Sequence, residues 1–164
     1  MLPSGFKIKL LGLLFTCLSV CAIAQKFDKI AFYQAIASKD SIKINVQKNL
    51  LQNSSIKEKQ AYEGALLLKQ AGLITAKKDK LALFKSGKNK LENAIEKDSI
   101  NTEYRFLRLM IQENAPKILG YHKALEKDNI YIRKNFKSLS IALQEVVLGY
   151  SKQSKILNNV SDIK

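Results

Sequence analysis

Between Ala24 and Lys164 the chain has one proline, Pro116, and few glycines, while side chains able to cap helices recur between stretches of helical periodicity. A sequence so poor in backbone breakers, with apolar residues three and four apart, folds as helices joined by short turns. The fold class expected is therefore all-α, with antiparallel helical hairpins.

The boundaries follow from the same signals. Apolar residues at Phe27, Ile30 and Ala31 open a first helix that reaches about Ala37, and Asp40 or Ser41 caps a second that runs to about Leu51. Ser55-Ile56-Lys57-Glu58 has the spacing of a capping box, which predicts a third helix ending at Gly72. That helix carries Ala61, Gly64, Ala65 and Leu68 as a small-residue stripe suited to close helix approach. A fourth helix is predicted from about Lys78 to Lys97, with Leu81, Phe84, Leu91, Ala94 and Ile95 inward and Gly87 at a crossing point. The segment Asp98-Ser99-Ile100-Asn101 then supplies the next cap. From Thr102 to about Asn114, apolar side chains cover most of the helix circumference, which marks it as the central helix, and Pro116 ends it. Further helices are expected over about 117–125, 129–136 and 140–149.

The first residues belong to a different kind of segment. Lys7 and Lys9 precede an apolar run, Leu10 to Ala24, that closes on Ala22-Ile23-Ala24. This order predicts a secretory signal peptide over 1–24, cleaved between Ala24 and Gln25. The run is about 15 residues where a bilayer span needs about 20, so no anchor is expected to remain after cleavage. Leu18-Ser19-Val20-Cys21 has the outline of a lipoprotein site, but bulky Val20 stands where a small residue is favoured. The organisation expected is a leader over 1–24, a helical domain over 25–150 and a polar, weakly ordered tail over 151–164. The protein would then be exported, to the periplasm or beyond.

Cleavage constrains the chemistry. Both cysteines, Cys17 and Cys21, lie in the leader, so the exported chain has neither a disulfide nor a thiolate. The leader carries two of the 28 basic residues and none of the 14 acids, which lowers the net charge from +14 to +12. Such an excess attracts anionic lipid, acidic polysaccharide or acidic protein surfaces in a salt-dependent way. Export makes nucleic acid a poor partner. The lysines are spread along the chain, as they also would be under an A/T-rich codon bias.

The chain lacks a glycine-rich phosphate loop, a glycine-flanked serine elbow, a haem-attachment motif and any cysteine–histidine cluster. His122 is the single histidine, with Glu126 one helical turn on; one imidazole and one carboxylate do not make a zinc site. No cofactor, metal or enzymatic activity is expected. Tyr121, Tyr131, Phe136 and Tyr150 could line an aromatic surface, although filling the core is the commoner use of such residues.

Arginine is scarce: Arg105, Arg108 and Arg133 stand beside 25 lysines. Arg105 and Arg108 share a narrow polar stripe of the central helix with Gln112, and guanidinium offers a planar fork that lysine cannot reproduce. Two readings follow. The stripe either grips a carboxylate or phosphate of a partner, or pairs internally with Glu96, Glu103 or Glu113 to hold neighbouring helices in register. Arg105, Arg108 and Gln112 are the candidate partner-binding residues on the first reading.

Phe84-Lys85-Ser86-Gly87, Leu91, Ala94-Ile95-Glu96-Lys97-Asp98 and Asn101-Thr102-Glu103 together resemble the second helix of a tetratricopeptide repeat and the turn into the next, with Ser99 where that repeat usually has proline. The resemblance covers about a quarter of the chain and implies an α-solenoid-like stack of hairpins whose concave face binds a peptide or protein. The stretch from Glu103 through Pro116 to Tyr121 is similar to a segment of small exported bacterial proteins of unknown function, which implies no activity. The function expected is that of a non-enzymatic binding or scaffold protein of the bacterial cell envelope with a protein or peptide partner; the alternative is an electrostatic binder of anionic lipid or polysaccharide.

Overall fold

A computed structural model of the chain describes residues 26–158. The leader, its expected cleavage site after Ala24, both cysteines and residues 159–164 lie outside these. Within 26–158 the fold is all-α: seven helices, α1 (Lys29–Ala37), α2 (Ser41–Gln52), α3 (Lys59–Leu73), α4 (Lys77–Lys97), α5 (Thr102–Glu113), α6 (Leu125–Asn135) and α7 (Ile141–Ser151), with 3-10 turns at Lys117–Leu119 and Phe136–Ser138.

Local chemistry sets several of the starts. Asp28 accepts from the Ala31 amide at 2.7 Å, Asp40 from Ile42 at 2.8 Å and Asn101 from Tyr104 at 3.1 Å, each satisfying an otherwise orphaned donor at a helix start. The expected capping box at Ser55 does not form. Helix α3 begins four residues later because Glu58, instead of reaching back to Ser55, accepts the Lys29 ammonium at 3.0 Å.

The helices assemble around α5, in which every residue from Thr102 to Gln112 is buried. Helices α3 and α4 form a hairpin across the three residues 74–76, and α5 rests on both before pairing with α6. The α3–α4 approach is made possible by two glycines. A Cβ on Gly64 would lie 2.8 Å from the Gly87 carbonyl oxygen, and one on Gly87 would lie 2.7 Å from the Gly64 carbonyl oxygen. The small-residue stripe is thus a packing device. Helix α1 covers the face that α3 and α5 share: Phe32 stacks on Tyr62 with ring centroids 4.3 Å apart, and Tyr33 packs against Phe106 at 5.6 Å. Tyr121, Phe136 and Tyr150 are likewise buried, so they fill the core and form no aromatic surface.

Three further expectations need correction. The stretch 117–125 is not one helix; it holds a single 3-10 turn, after which Gly120 takes a left-handed conformation, φ +61°, that stops propagation. His122 and Glu126 therefore do not share a helix face, and both are exposed. Helix α6 starts at Leu125, a full turn ahead of the expected 129, and this places Asp128 inside it. Residues 151–158, expected in a weakly ordered tail, are fastened down. The Glu113 carboxylate accepts from the Tyr150 hydroxyl and Ser154 Oγ, both at 2.7 Å, and from the Lys155 amide at 2.6 Å, which seats Leu157 in full burial.

Candidate functional site

The arginine stripe is built by α5 and consumed within the molecule. Arg105 and Arg108, three residues apart, project from one face toward α6, where Asp128 and Ile132, four residues apart, are the buried positions. Arg108 grips Asp128 along one edge of its guanidinium, Nε to one carboxylate oxygen at 2.7 Å and Nη2 to the other at 2.8 Å, and its Nη1 donates to Glu92 of α4 at 2.6 Å. Arg105 donates to Asp128 at 3.1 Å and twice to the Ser99 carbonyl, at 3.0 and 2.6 Å, while its guanidinium lies 4.3 Å from the centre of the Tyr131 ring. Burial alone would loosen the proton on Arg108, but hydrogen bonding to Asp128 and the charges of Asp128 and Glu92 outweigh it and raise its pKa further.

Of the two readings of these arginines, this geometry is that of the internal pair, with partners other than the three acids weighed. Asp128 is wholly buried, and Glu92 also accepts from the Tyr121 hydroxyl at 2.6 Å, so one charged network ties α4, α5 and α6 together. Gln112 lies on the same stripe, and its buried Oε1 has no hydrogen-bond partner among the described residues. No fork is left open to a ligand.

Glu103 anchors the opposite side of α5. It accepts from the hydroxyls of Tyr33, at 3.3 Å, and of Tyr62, and pairs with Lys29 at 3.2 Å. Burial raises both tyrosine pKa values, with the Glu103 charge adding to the shift, so the two phenols remain donors. This network is closed as well.

An open site lies at one end of the bundle. The last turns of α1, α3 and α5 converge there with the first turns of α4 and enclose a cleft of about 580 Å³, within the range of small-ligand pockets, roughly 300–1,000 Å³. Its walls are apolar, from Ile36 of α1, Leu68 and Leu73 of α3, Phe84 of α4, and Met110 and Ile111 of α5. Leu81, expected in the core, is 48% exposed and Leu119 38% exposed; both line this cleft. The charged residues of the lining are Lys39, Lys69 and Lys80, and the lining has no acid, histidine, serine or cysteine.

Lys69 is half-buried and Lys39 and Lys80 are exposed; none of the three ammonium groups has a hydrogen-bond or ion-pair partner among the described residues. Burial, followed by repulsion from Lys39, lowers the Lys69 pKa. Sequence reasoning missed this site because it depends on how four helix ends meet. The usable signals were slight: Lys69 directly follows Leu66-Leu67-Leu68, and Leu81 sits in the lysine-rich start of α4.

Among the described residues, no group of three or more His, Cys, Asp or Glu side chains is arranged to hold a metal, and no helix is long and apolar enough to cross a membrane. No family model, curated protein or solved structure matches the chain.

Proposed function

We propose that this chain is an exported, non-enzymatic helical binding protein of the bacterial cell envelope, and that the lysine-rimmed cleft at the end of α1, α3, α4 and α5 is where it holds its ligand. The observation that carries the reading is the cleft's lining: apolar walls and three lysines without partners among the described residues, with no carboxylate, imidazole, serine hydroxyl or thiol beside them. Such a lining suits the holding of a ligand.

The tetratricopeptide resemblance keeps a role in this reading. Helix α3 pairs with α4, α5 with α6, and α5 rests on both helices of the preceding hairpin, as consecutive hairpins do in a stacked repeat. The peptide groove that the resemblance implies would lie along the face shared by α3 and α5. That face is covered by α1, with Phe32 and Tyr33 seated on it. Binding is accordingly assigned to the end of the stack and not to its inner face, and not to Arg105, Arg108 and Gln112.

A second reading, attraction of anionic lipid or polysaccharide by the surface as a whole, has its own support. Among the described residues Lys29 and Lys90 are the lysines held in ion pairs, so most of the basic excess is left to solvent. The two readings separate in one experiment: native mass spectrometry of the protein purified from the cells that make it, beside a Gly72→Phe variant. Gly72 is among the residues lining the cleft, and a Cβ there would meet no atom within 4 Å, so a bulky side chain can be introduced at the cleft without a clash in the helix. The cleft reading predicts a bound mass on the wild type that is absent from the variant. The same adducts on both proteins would transfer the function to the surface charge, and a bare chain in both would contradict the cleft reading.

A further inference from the structure

We propose that the ligand is a free single-chain amphiphile with a carboxylate head, its alkyl chain lying along Leu68, Phe84, Met110 and Ile111 and its head held by Lys69 with Lys39 and Lys80. The inference rests on the cleft being the binding site and adds what the cleft binds. Three features of the cleft lead to it.

The first is the composition of its lining. The walls supplied by α1, α3, α4 and α5 are hydrocarbon, whereas the charged groups that line it are lysines alone. An apolar ligand without a charge would fit the walls and leave the ammonium groups as they are. An anion without a chain would gain little from the exposed Lys39 and Lys80, since exposed ion pairs are worth roughly 0–1 kcal/mol. A molecule carrying both parts satisfies both halves of the cleft.

The second is the state of Lys69. Long cations are seldom drawn below the surface without a carboxylate, because desolvation opposes the charge. The buried arginines follow that rule, Arg105 and Arg108 being held by Asp128, and the partly buried Lys29 is held by Glu58 and Glu103. Lys69 breaks it: half-buried, without an acceptor, and near enough to Lys39 for the two charges to repel. A ligand carboxylate would supply the missing partner and would be favoured by both cations.

The third is size. The cleft holds about 580 Å³ between helix ends, and its exposed lining residues include Leu81 and Leu119 beside Lys39 and Lys80. That volume has room for an alkyl chain; a bilayer surface, which presents headgroups outward, would reach the lysines but leave the walls empty.

Isothermal titration with dodecanoate, kept below its micelle-forming concentration, tests the assignment against dodecanol, acetate and phosphatidylglycerol vesicles. We expect saturable one-to-one binding of dodecanoate, weaker binding of dodecanol and none of acetate. The Lys39→Gln/Lys69→Met double variant should lose about tenfold in affinity for dodecanoate, one charge-assisted contact's worth, with little change for dodecanol. Gly72→Phe should abolish binding of both while melting like the wild type. No uptake of dodecanoate, uptake unaffected by Gly72→Phe, or vesicle binding in its place would overturn the proposal. If the protein from its own cells carries a cleft-bound mass yet dodecanoate is refused, the ligand class alone is wrong; if both fail, the cleft is not a binding site.

Discussion

The two ends of the charge inventory make an instructive pair. Along α5, Arg105 and Arg108 meet one fully buried carboxylate, Asp128, in a network whose donors point into the fold. At the converging helix ends, Lys39, Lys69 and Lys80 face an apolar cleft with no carboxylate among its lining residues. Both are clusters of cations on a strongly basic chain. The first is a structural tie because its counter-charge is built in. The second is a candidate site because its counter-charge has to come from elsewhere. Removing a charge should therefore have opposite consequences for stability in the two places.

The largest effect is expected at the tie. Asp128→Asn leaves Arg105 buried without a carboxylate and Arg108 with Glu92 alone, and stability in urea should fall by about 3–5 kcal/mol, the usual cost of breaking a buried pair from one side. A loss below about 1 kcal/mol would show that water already reaches this network, since exposed pairs are worth no more than that. Next comes Gly87→Ala. The new Cβ would stand 2.7 Å from the Gly64 carbonyl and 2.8 Å from the Leu68 amide nitrogen, both backbone atoms that cannot turn aside. Forcing the α3–α4 hairpin apart should cost about 1–3 kcal/mol in thermal or urea melts, and it should also distort the cleft wall that Leu68 provides.

A smaller loss is predicted for Glu113→Gln, about 1–2 kcal/mol, because the amide side chain can still accept but loses the charge that gathers Tyr150, Ser154 and Lys155. Hydrogen exchange at the amides of Lys155 and Ile156 should accelerate while α5 stays protected. At the cleft the sign reverses. Lys69→Met removes a half-buried cation that has no partner, so the melting temperature should hold or rise slightly. A clear destabilisation would mean that Lys69 serves the fold, and the contrast between the two clusters would disappear.

Much of this architecture could be read from the residues. Asn101 capping α5, the near-complete apolar circumference of that helix, and Gly64 with Gly87 as contact points are all local signals that tertiary packing reinforces. The capping box at Ser55 was lost because its carboxylate found a distant cation, Lys29, twenty-nine residues earlier in the chain. The oddity of two arginines on one face was visible too, but their partner was not. Asp128 looked like the residue ahead of a helix when it lies in the first turn of one, and a shift of one turn in α6 decides which way its carboxylate is carried. The cleft could not be found by pattern at all, because its walls come from the ends of four helices, each unremarkable on its own.

The most direct measurement is the NMR map of backbone amide shifts in the isotope-labelled protein as dodecanoate is added. The account predicts saturating shifts at the ends of α1, α3 and α5 and at the start of α4, around Lys39, Leu73, Leu81 and Asn114, with the amides from Ala124 to Tyr131 unmoved. Shifts centred on Asp128 and Tyr131, or none anywhere, would contradict it.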